Sequence, residues 1–233
     1  VDENKTTPKT SAVSIDDTIE MFKCVLEEDR DIVAFAISEY MSTTANVFRL
    51  AARELEAEDR IHVIDSENLS TGIGHLVVEA AVMAGKGMSA ADIEKNILEL
   101  RPRVRASFVV DTLTYLHRGG RCSGLAAMAG GVLKLHPRIE VNNGKMNPGK
   151  KYRGRMKNVV LDYVKDMEED LKKARKDRVF ITHSGCDKDI VDAVREYLKQ
   201  LDIFDEIYET RAGGVISSHC GPGTLGVLFI AGE

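Results

Sequence analysis

The fold class follows from residues 31–66, which read DIVAFAISEYMSTTANVFRLAARELEAEDRIHVIDS. Two short apolar runs, residues 31–37 and 61–64, enclose residues 43–55, where apolar side chains recur at helical spacing. A strand, a helix and a second strand in this order are typical of a parallel α/β fold. Polar residues follow both predicted strands, at the positions where α/β proteins usually bind ligands.

The sequence before and after this segment continues the α/β pattern. Ser14 with Asp17, and Ser89 with Asp92, have the spacing of helix capping boxes. They predict one helix at about residues 15–28 and another that ends before Pro102. Between them, GIGHLVVEAAVMAG is apolar nearly all round and predicts a buried helix. The strand RASFVV is expected to close the first domain.

The second half of the chain predicts another α/β domain. Asn143-Gly144 predicts a tight hairpin after a strand at residues 136–141, and Asn147-Pro148-Gly149 predicts a second turn. A long helix at residues 160–174 follows. Then come a strand (RVFITH), a helix, a further strand, a glycine-rich loop and the final strand LGVLFIA. We therefore expect two α/β domains, residues 1–115 and 116–233, joined near residues 112–120, in a glycine-rich segment.

Composition narrows the class of protein. Of the 233 residues, 43% are hydrophobic and 30% are charged, which is typical of a globular protein. The formal net charge of −5 argues against a nucleic-acid-binding protein. No apolar run reaches the length of a membrane span, and no secretory signal is visible. The four cysteines are scattered without ligand spacing, so we expect free thiols, no metal site and a cytoplasmic location.

Several predicted junctions carry side chains suited to ligand binding. Ser42, Thr43 and Thr44 follow a strand and open a helix, so they either cap that helix or bind an anion at its positive end. Asp65 ends a predicted strand and fits a base, a metal ligand or a structural cap. His75 lies inside an apolar helix, where a buried core histidine is the simpler interpretation.

Two further candidates lie on glycine-rich segments. Arg121 follows Gly119-Gly120, and a guanidinium on such a loop can bind a carboxylate or phosphate through two hydrogen bonds. His219 precedes Cys-Gly-Pro-Gly and a buried strand. A structural link between loops is an equally good interpretation of both residues. The glycines match neither the dinucleotide fingerprint nor the P-loop, so no nucleotide cofactor is predicted.

A basic stretch at residues 145–157 is unusual in this acidic chain. Its lysines and arginines either form a solvated hairpin edge or provide a docking surface for an acidic or phosphate-bearing partner.

Taken together and in order, five segments resemble the DegV family of bacterial fatty-acid-binding proteins. The segments are KTSAVS from residue 9, ISEYMSTTANVF from 37, VIDSENLSTGIGHLVVEAA from 63, VDTLTYLHRGGRCSGLAAMAGGVLKLHPRIEV from 110 and SSHCGPGTLGVLF from 217. The resemblance implies two α/β domains with one long-chain fatty acid, such as palmitate, stearate or oleate, bound between them. It implies that hydroxyls of Thr10 and Ser42 hold the carboxylate, with Arg121 and His219 near the head group.

The resemblance also implies a function without catalysis. Such proteins present the fatty acid to a separate ATP-binding kinase subunit, which makes the acyl phosphate. The alternatives are an enzyme in its own right, a phosphotransferase or hydrolase with His219 as general base, and a regulator whose basic stretch contacts a partner under the influence of lipid.

Two features depart from the family pattern. Members usually begin with an additional strand and an Asp-Ser motif, so we expect this chain to lack an N-terminal segment of the family, which would leave one edge of the first sheet open. The usual Leu-Ser-Gly-Thr-Tyr reads Met41-Ser42-Thr43-Thr44-Ala45 here, so the backbone near the head group is expected to differ.

Overall fold

The computed structural model describes residues 8–121 and 135–232. Cys122 and the rest of the glycine-rich segment to residue 134 lie outside the described residues. The chain divides into two units, which we name by size. The small unit comprises residues 11–102 and 143–145, and the large unit comprises the other described residues.

The small unit confirms the strand, helix, strand order predicted from the sequence. Strands β1 and β2 pair in parallel, with Ile32 opposite Ile61. Its elements are α1 (Ile15–Leu26), β1 (Ile32–Ala36), α2 (Thr44–Glu54), β2 (Ile61–Asp65), α3 (Ser70–Gly85) and α4 (Ala90–Leu100). Within the described residues the sheet of this unit therefore has two strands.

Both serines of the predicted capping boxes cap their helices. The Ser14 hydroxyl oxygen accepts a hydrogen bond from the Asp17 N–H at 3.1 Å, and that of Ser89 accepts one from the Asp92 N–H at 3.2 Å. Each serine thereby satisfies a backbone donor of the first helical turn, which has no partner within the helix.

The large unit is built around a mixed sheet. Its six strands lie in the order β5-β4-β3-β8-β6-β7, and β6 and β7 pair in parallel, whereas β3 pairs antiparallel with β4 and β8. Its elements are β3 (Val104–Val109), α5 (Thr114–Arg118), β4 (Leu135–Asn142), β5 (Lys145–Arg153), α6 (Met156–Asp166), α7 (Glu168–Leu171), β6 (Arg178–His183), α8 (Lys188–Leu201), β7 (Glu206–Arg211), α9 (Gly214–Cys220) and β8 (Leu225–Ile230).

The division between the units differs from the predicted boundary at residue 115. It falls between Pro102 and Arg103, and the large unit also takes residues 8–10. The prediction that RASFVV closes the first domain was wrong, because this strand is β3 and lies in the middle of the large sheet. A strand's own sequence does not specify its partners, and those of β3 lie at residues 138–141 and 225–230.

The predicted hairpin is confirmed, but the turn predicted after it was wrong. Asn143 and Gly144 adopt φ values of 50° and 76° and connect β4 to β5. Asn147-Pro148-Gly149 lies inside β5. Among the described strands β5 lies at one edge of the sheet, a position where proline is tolerated.

Two further predictions required correction. The long helix at residues 160–174 is divided into α6 and α7, and Met167 lies at the break. The glycine-rich loop before the last strand contains a short helix, α9. Glycine lowers helix propensity, so the sequence alone favoured a loop at Gly213-Gly214.

Candidate functional site

The structure brings together Thr10 and His219, which are 209 residues apart in the chain. The Thr10 hydroxyl lies 2.7 Å from Nε2 of the His219 imidazole, and the contact is partly buried. His219 belongs to the last turn of α9, and Thr10 lies in the extended segment before α1. Both residues belong to the large unit. We call this pair, together with Gly119 and Arg121, the Thr–His cluster.

Close contact with Gly119 fixes the imidazole from the other side. A Cβ atom added at Gly119 would lie 2.0 Å from Nδ1 of His219, far inside van der Waals distance. Gly119 is the C-terminal cap of α5 and has an ordinary negative φ of −77°. This glycine is therefore required because the histidine ring packs directly against its backbone.

Arg121 connects the same loop to the electrostatics of the cluster. Its Nη1 donates a hydrogen bond to the Gly119 carbonyl at 2.8 Å. Burial, and secondarily the positive charge of Arg121, lowers the pKa of His219 below its ordinary value. The imidazole is accordingly neutral at neutral pH, and the positive charge of the cluster resides on Arg121.

The surroundings of His219 also select its tautomer. Nδ1 is buried and has no hydrogen-bond partner among the described residues. A buried N–H without an acceptor costs more than a nitrogen lone pair in the same place, so the proton belongs on Nε2. Nε2–H then donates to the Thr10 oxygen. This arrangement leaves the Thr10 O–H able to donate to a ligand.

The loop after His219 is fixed by its own close contacts. Gly221 has a φ of 81°, and a Cβ atom there would lie 2.3 Å from the Tyr115 ring. The Ser184 hydroxyl donates to the Gly221 carbonyl, and the Thr224 hydroxyl donates to the Cys220 carbonyl at 2.9 Å. The Gly-Pro-Gly sequence thus holds His219 against the large sheet.

Ser42, the fourth predicted site residue, belongs to the small unit. Its hydroxyl lies 2.8 Å from that of Thr44 and accepts a weak hydrogen bond from the Thr44 N–H at 3.3 Å. Thr43 is the N-cap of α2 and makes no side-chain capping bond. The contacts of Ser42 are therefore local, at the start of α2.

Two other residues singled out in the small unit have structural positions. The Asp65 carboxylate accepts hydrogen bonds from the N–H groups of Glu67 and Glu39, at 2.9 and 3.3 Å. Of the three roles open to it, the structure shows the cap. His75 is completely buried in α3. No cluster of three or more potential metal ligands occurs among residues 8–121 and 135–232.

Ser38 begins the polar segment 38–44 after β1, which the sequence marks as a candidate for ligand binding, and its side chain is fully buried. Its hydroxyl donates to the Gly144 carbonyl at 2.6 Å, and the two residues belong to the same unit although they are 106 residues apart. No local pattern in the sequence signals such a contact. The turn at Asn143-Gly144 was predictable, but its packing partner was not.

The described cysteines are free thiols. Burial raises the pKa of both Cys186 and Cys220 to about 12, so neither forms a reactive thiolate at neutral pH. Cys24 is exposed on α1. In the described part of the chain, no helix is both long and apolar enough to cross a membrane.

The large unit also contains a cavity that the sequence did not reveal. Its volume is about 390 Å³. The lining residues come from the segments on either side of the Thr–His cluster and from the ends of β6 and β7: Pro8, Tyr115, Ser184, Arg211, Gly214, Ser217, Ser218 and Pro222. This size is within the usual range for small-molecule sites.

These features define an α/β protein whose large unit contains a hydroxyl–imidazole pair, held by glycine-rich loops, and a cavity lined partly by the same chain segments. The sequence model of the DegV family, described as an uncharacterised protein family, matches residues 1–232. The chain belongs to the DegV family.

Relatives with known structures agree with this assignment. One is a DegV family protein from Thermus thermophilus, whose structure is described as showing fatty acid binding. It is 30% identical in sequence with a TM-score of 0.88, and the match covers 96% of this chain and 79% of that chain. DegV from Bacillus subtilis, described as a fatty acid binding protein, is 28% identical with a TM-score of 0.84 over 99% and 81%. A fatty acid-binding protein from Thermotoga maritima is 30% identical over 94% of this chain and 76% of the relative.

Proposed function

We propose that this protein binds one long-chain fatty acid and that the Thr–His cluster holds its carboxylate. The observation that carries the proposal is the 2.7 Å contact between Thr10 and His219. With the proton on Nε2 of the imidazole, the Thr10 O–H can donate to a ligand. Similarity to proteins described as fatty-acid-binding supports the choice of ligand.

A carboxylate leaving water needs charge-assisted hydrogen bonds to offset its desolvation. Thr10 supplies a hydroxyl donor, and Arg121 supplies a positive charge on the same loop as Gly119. The lowered pKa of His219 keeps the imidazole neutral, so its role is to orient the Thr10 hydroxyl. Ser42 is proposed as a second hydroxyl for the head group, because it occupies the serine position of the family motif although the residues around it differ.

The acyl chain supplies most of the binding free energy. Each buried CH₂ group contributes about 0.8 kcal/mol, so a chain of palmitate length contributes roughly 10 kcal/mol before ordering costs. The carboxylate contacts then determine which end of the lipid is held at the cluster, because an apolar chain carries no directional information.

We further propose that the protein is a carrier and presents the carboxylate to a separate ATP-using kinase subunit. A hydroxyl beside an imidazole is also the geometry of a nucleophile and its base, which would suit a hydrolase. In such enzymes a third group usually orients the base. Among the described residues, Nδ1 of His219 has no such partner and packs against Gly119. This favours binding over catalysis.

Native mass spectrometry of the purified protein, followed by lipid identification after denaturation, tests the binding proposal. We expect one fatty acid per chain, either co-purified or taken up from added palmitate. The Thr10→Val variant should retain less lipid than the wild type under the same conditions. A folded wild-type protein that neither carries nor takes up a fatty acid would refute the proposal.

A second assay separates the carrier from the enzyme. The protein is incubated with ATP and oleate, with and without a fatty acid kinase subunit, and acyl phosphate is trapped with hydroxylamine. A carrier gives product only when the kinase is present. Acyl phosphate formed by this chain alone would establish an enzyme instead. If no acyl phosphate formed when the kinase was mixed with the lipid-loaded protein, the lipid-dependent regulator would be favoured.

A further inference from the structure

The cavity beside the Thr–His cluster carries a positive charge that the function proposed so far does not use. Arg211 is exposed at the end of β7 and lines the cavity. No ion pair or side-chain hydrogen bond joins its guanidinium to another described residue. Its Nη2 lies 3.6 Å from the position of a Cβ atom built on Gly185. The guanidinium therefore lies against the loop after β6 and is available to a ligand.

Glu209, the neighbouring charged residue on β7, differs from Arg211 because its side chain is already paired. Glu209 is occupied by Arg195 at 2.7 Å and by His183 at 3.4 Å. Side chains at positions 209 and 211 lie on the same face of the strand, because side chains alternate along it. The Glu209 carboxylate thus already has a guanidinium and an imidazole as partners, whereas the Arg211 guanidinium has no carboxylate partner among the described residues.

The remaining walls of the cavity do not oppose an anion. No Asp or Glu occurs among its lining residues. The hydroxyls of Ser217 and Ser218 donate to the carbonyls of Ala212 and Val215, at 3.0 and 2.8 Å. The Ser218 hydroxyl is partly exposed, so it can rotate to donate to a ligand instead. The Arg211 guanidinium, which has no carboxylate partner among the described residues, and the rotatable Ser218 hydroxyl are together suited to binding an oxyanion.

The position of the cavity indicates which oxyanion it accepts. Ser218 directly precedes His219, and Pro8 lies two residues before Thr10, so the same two chain segments supply the cavity lining and the proposed carboxylate site. We propose that the Arg211 cavity is a second anion site, which binds a phosphoryl group next to the carboxylate position. This inference rests on the proposed function, because an acyl phosphate carries a phosphoryl group on its carboxyl oxygen. Free inorganic phosphate has the same chemistry and is the other possible source.

Three probes test the proposal: palmitate, the non-hydrolysable β-ketophosphonate analogue of palmitoyl phosphate, and inorganic phosphate. Affinities are measured by displacement of a fluorescent fatty acid from wild type, Arg211→Gln and Arg211→Lys. The control is Arg30→Gln, which removes one exposed positive charge from the small unit. Inorganic phosphate is also titrated alone against ¹⁵N-labelled wild type and Arg211→Gln, and the amide signals of residues 211–218 are followed.

We expect Arg211→Gln to weaken the phosphonate by roughly tenfold or more and to change palmitate affinity less than about twofold, because only the phosphonate reaches the guanidinium. Arg211→Lys should lose less, and Arg30→Gln should change neither. An acyl phosphate site predicts that inorganic phosphate alone binds weakly, whereas a free-phosphate site predicts saturable shifts at low millimolar phosphate. In either case, the shifts should disappear in Arg211→Gln.

The outcomes separate this inference from the proposed function. Equal losses for palmitate and phosphonate would assign Arg211 to the carboxylate site and overturn the inference, while fatty-acid binding stands. Unchanged phosphonate affinity in Arg211→Gln would also overturn it. If the wild type bound neither lipid yet showed Arg211-dependent phosphate shifts, the proposed function would fail and a phosphate site would remain. Absence of both lipid binding and phosphate shifts would overturn both proposals.

Discussion

Two polar clusters in the large unit show opposite degrees of hydrogen-bond satisfaction. In the first, the Tyr163 hydroxyl donates to the Ser107 carbonyl at 2.8 Å, accepts from the Val227 N–H at 3.0 Å and lies 3.0 Å from the Ser107 hydroxyl. In the second, Thr10 and His219 contact each other, while Nδ1 of His219 has no partner among the described residues. Tyr163 is fully buried, whereas the Thr10–His219 contact is only partly so.

This difference distinguishes a structural cluster from a ligand site. Every hydrogen-bonding position of the Tyr163 hydroxyl is used within the protein, and burial raises its pKa above the ordinary value. It joins α6 to β3 and β8 and has nothing to offer a ligand. In the Thr–His cluster the Thr10 hydroxyl is only partly buried and, with the proton on Nε2 of His219, can still donate to a ligand. Polar groups that are costly to bury unpaired are expected where a ligand completes the pairing.

The largest effect is expected from Gly119→Ala, which disturbs the ligand cluster through packing alone. The new methyl group would lie 2.0 Å from Nδ1 of His219, so the ring or the loop must move. We expect destabilisation of about 1–3 kcal/mol and a loss of palmitate affinity of more than tenfold. Urea unfolding and fluorescent fatty-acid displacement measure the two effects. Gly85→Ala is the matched control, because no atom lies within 4 Å of its added Cβ.

Tyr163→Phe tests the structural cluster. Loss of the hydroxyl leaves the buried Val227 N–H without this acceptor, so we expect the free energy of unfolding to fall by about 2 kcal/mol. Palmitate affinity of the folded protein should stay within about twofold of wild type, because no ligand group depends on Tyr163. A selective loss of lipid binding without a loss of stability would contradict the division into two kinds of cluster.

Thr10→Val is expected to affect palmitate affinity more than stability, the reverse of Tyr163→Phe. It removes the hydroxyl while nearly preserving side-chain shape, and we expect palmitate affinity to fall by roughly tenfold. The loss of stability should be smaller than in Tyr163→Phe, because the His219 N–H that loses its acceptor is only partly buried and water can replace the hydroxyl. Thr10→Ser, which keeps the hydroxyl, should retain most of the affinity. Isothermal titration measures both variants. Equal affinities for the valine and serine variants would remove Thr10 from the proposed site.

Ser42→Ala should have a smaller effect, since the contacts of Ser42 are local. We expect palmitate affinity to weaken a few-fold and the free energy of unfolding to fall by less than about 1 kcal/mol. The same titration and urea series measure it, alongside Thr44→Ala, which removes only the neighbouring hydroxyl. Unchanged affinity in Ser42→Ala would confine this serine to a local role at the start of α2.

The smallest effect is a pH dependence of stability that arises from His219. Its pKa is lowered in the folded protein, so the unfolded chain binds a proton first as pH falls through about 6.5. Stability from this group is therefore present at neutral pH and decreases on acidification. We expect wild type to lose more stability than His219→Gln between about pH 7.5 and 5.5 in urea titrations. Parallel pH profiles for the two proteins would contradict the assignment.

Local sequence patterns predicted much of the fold. Helical periodicity and capping boxes located α1 and α4 near their observed bounds, and Asn143-Gly144 predicted the hairpin because its φ values are intrinsic to those residue types. The wrong predictions concern features that depend on neighbouring strands. Pro148 was interpreted as a turn residue, although an unpaired strand edge also accommodates it. Edge position is a property of the sheet and leaves no local signal.

For the candidate site too, the sequence determined some features and the tertiary structure determined others. The sequence by itself determined which residue types were available: hydroxyls at Thr10 and Ser42, a guanidinium at Arg121 and an imidazole at His219. Only the tertiary structure decided that Thr10 pairs with His219, that Gly119 accommodates its ring, and that Arg211 lines the adjoining cavity. The physical reason is the sequence separation over which each kind of interaction acts. Propensity and periodicity act over a few residues, whereas the packing that selects the His219 tautomer joins segments about 100 and 209 residues apart.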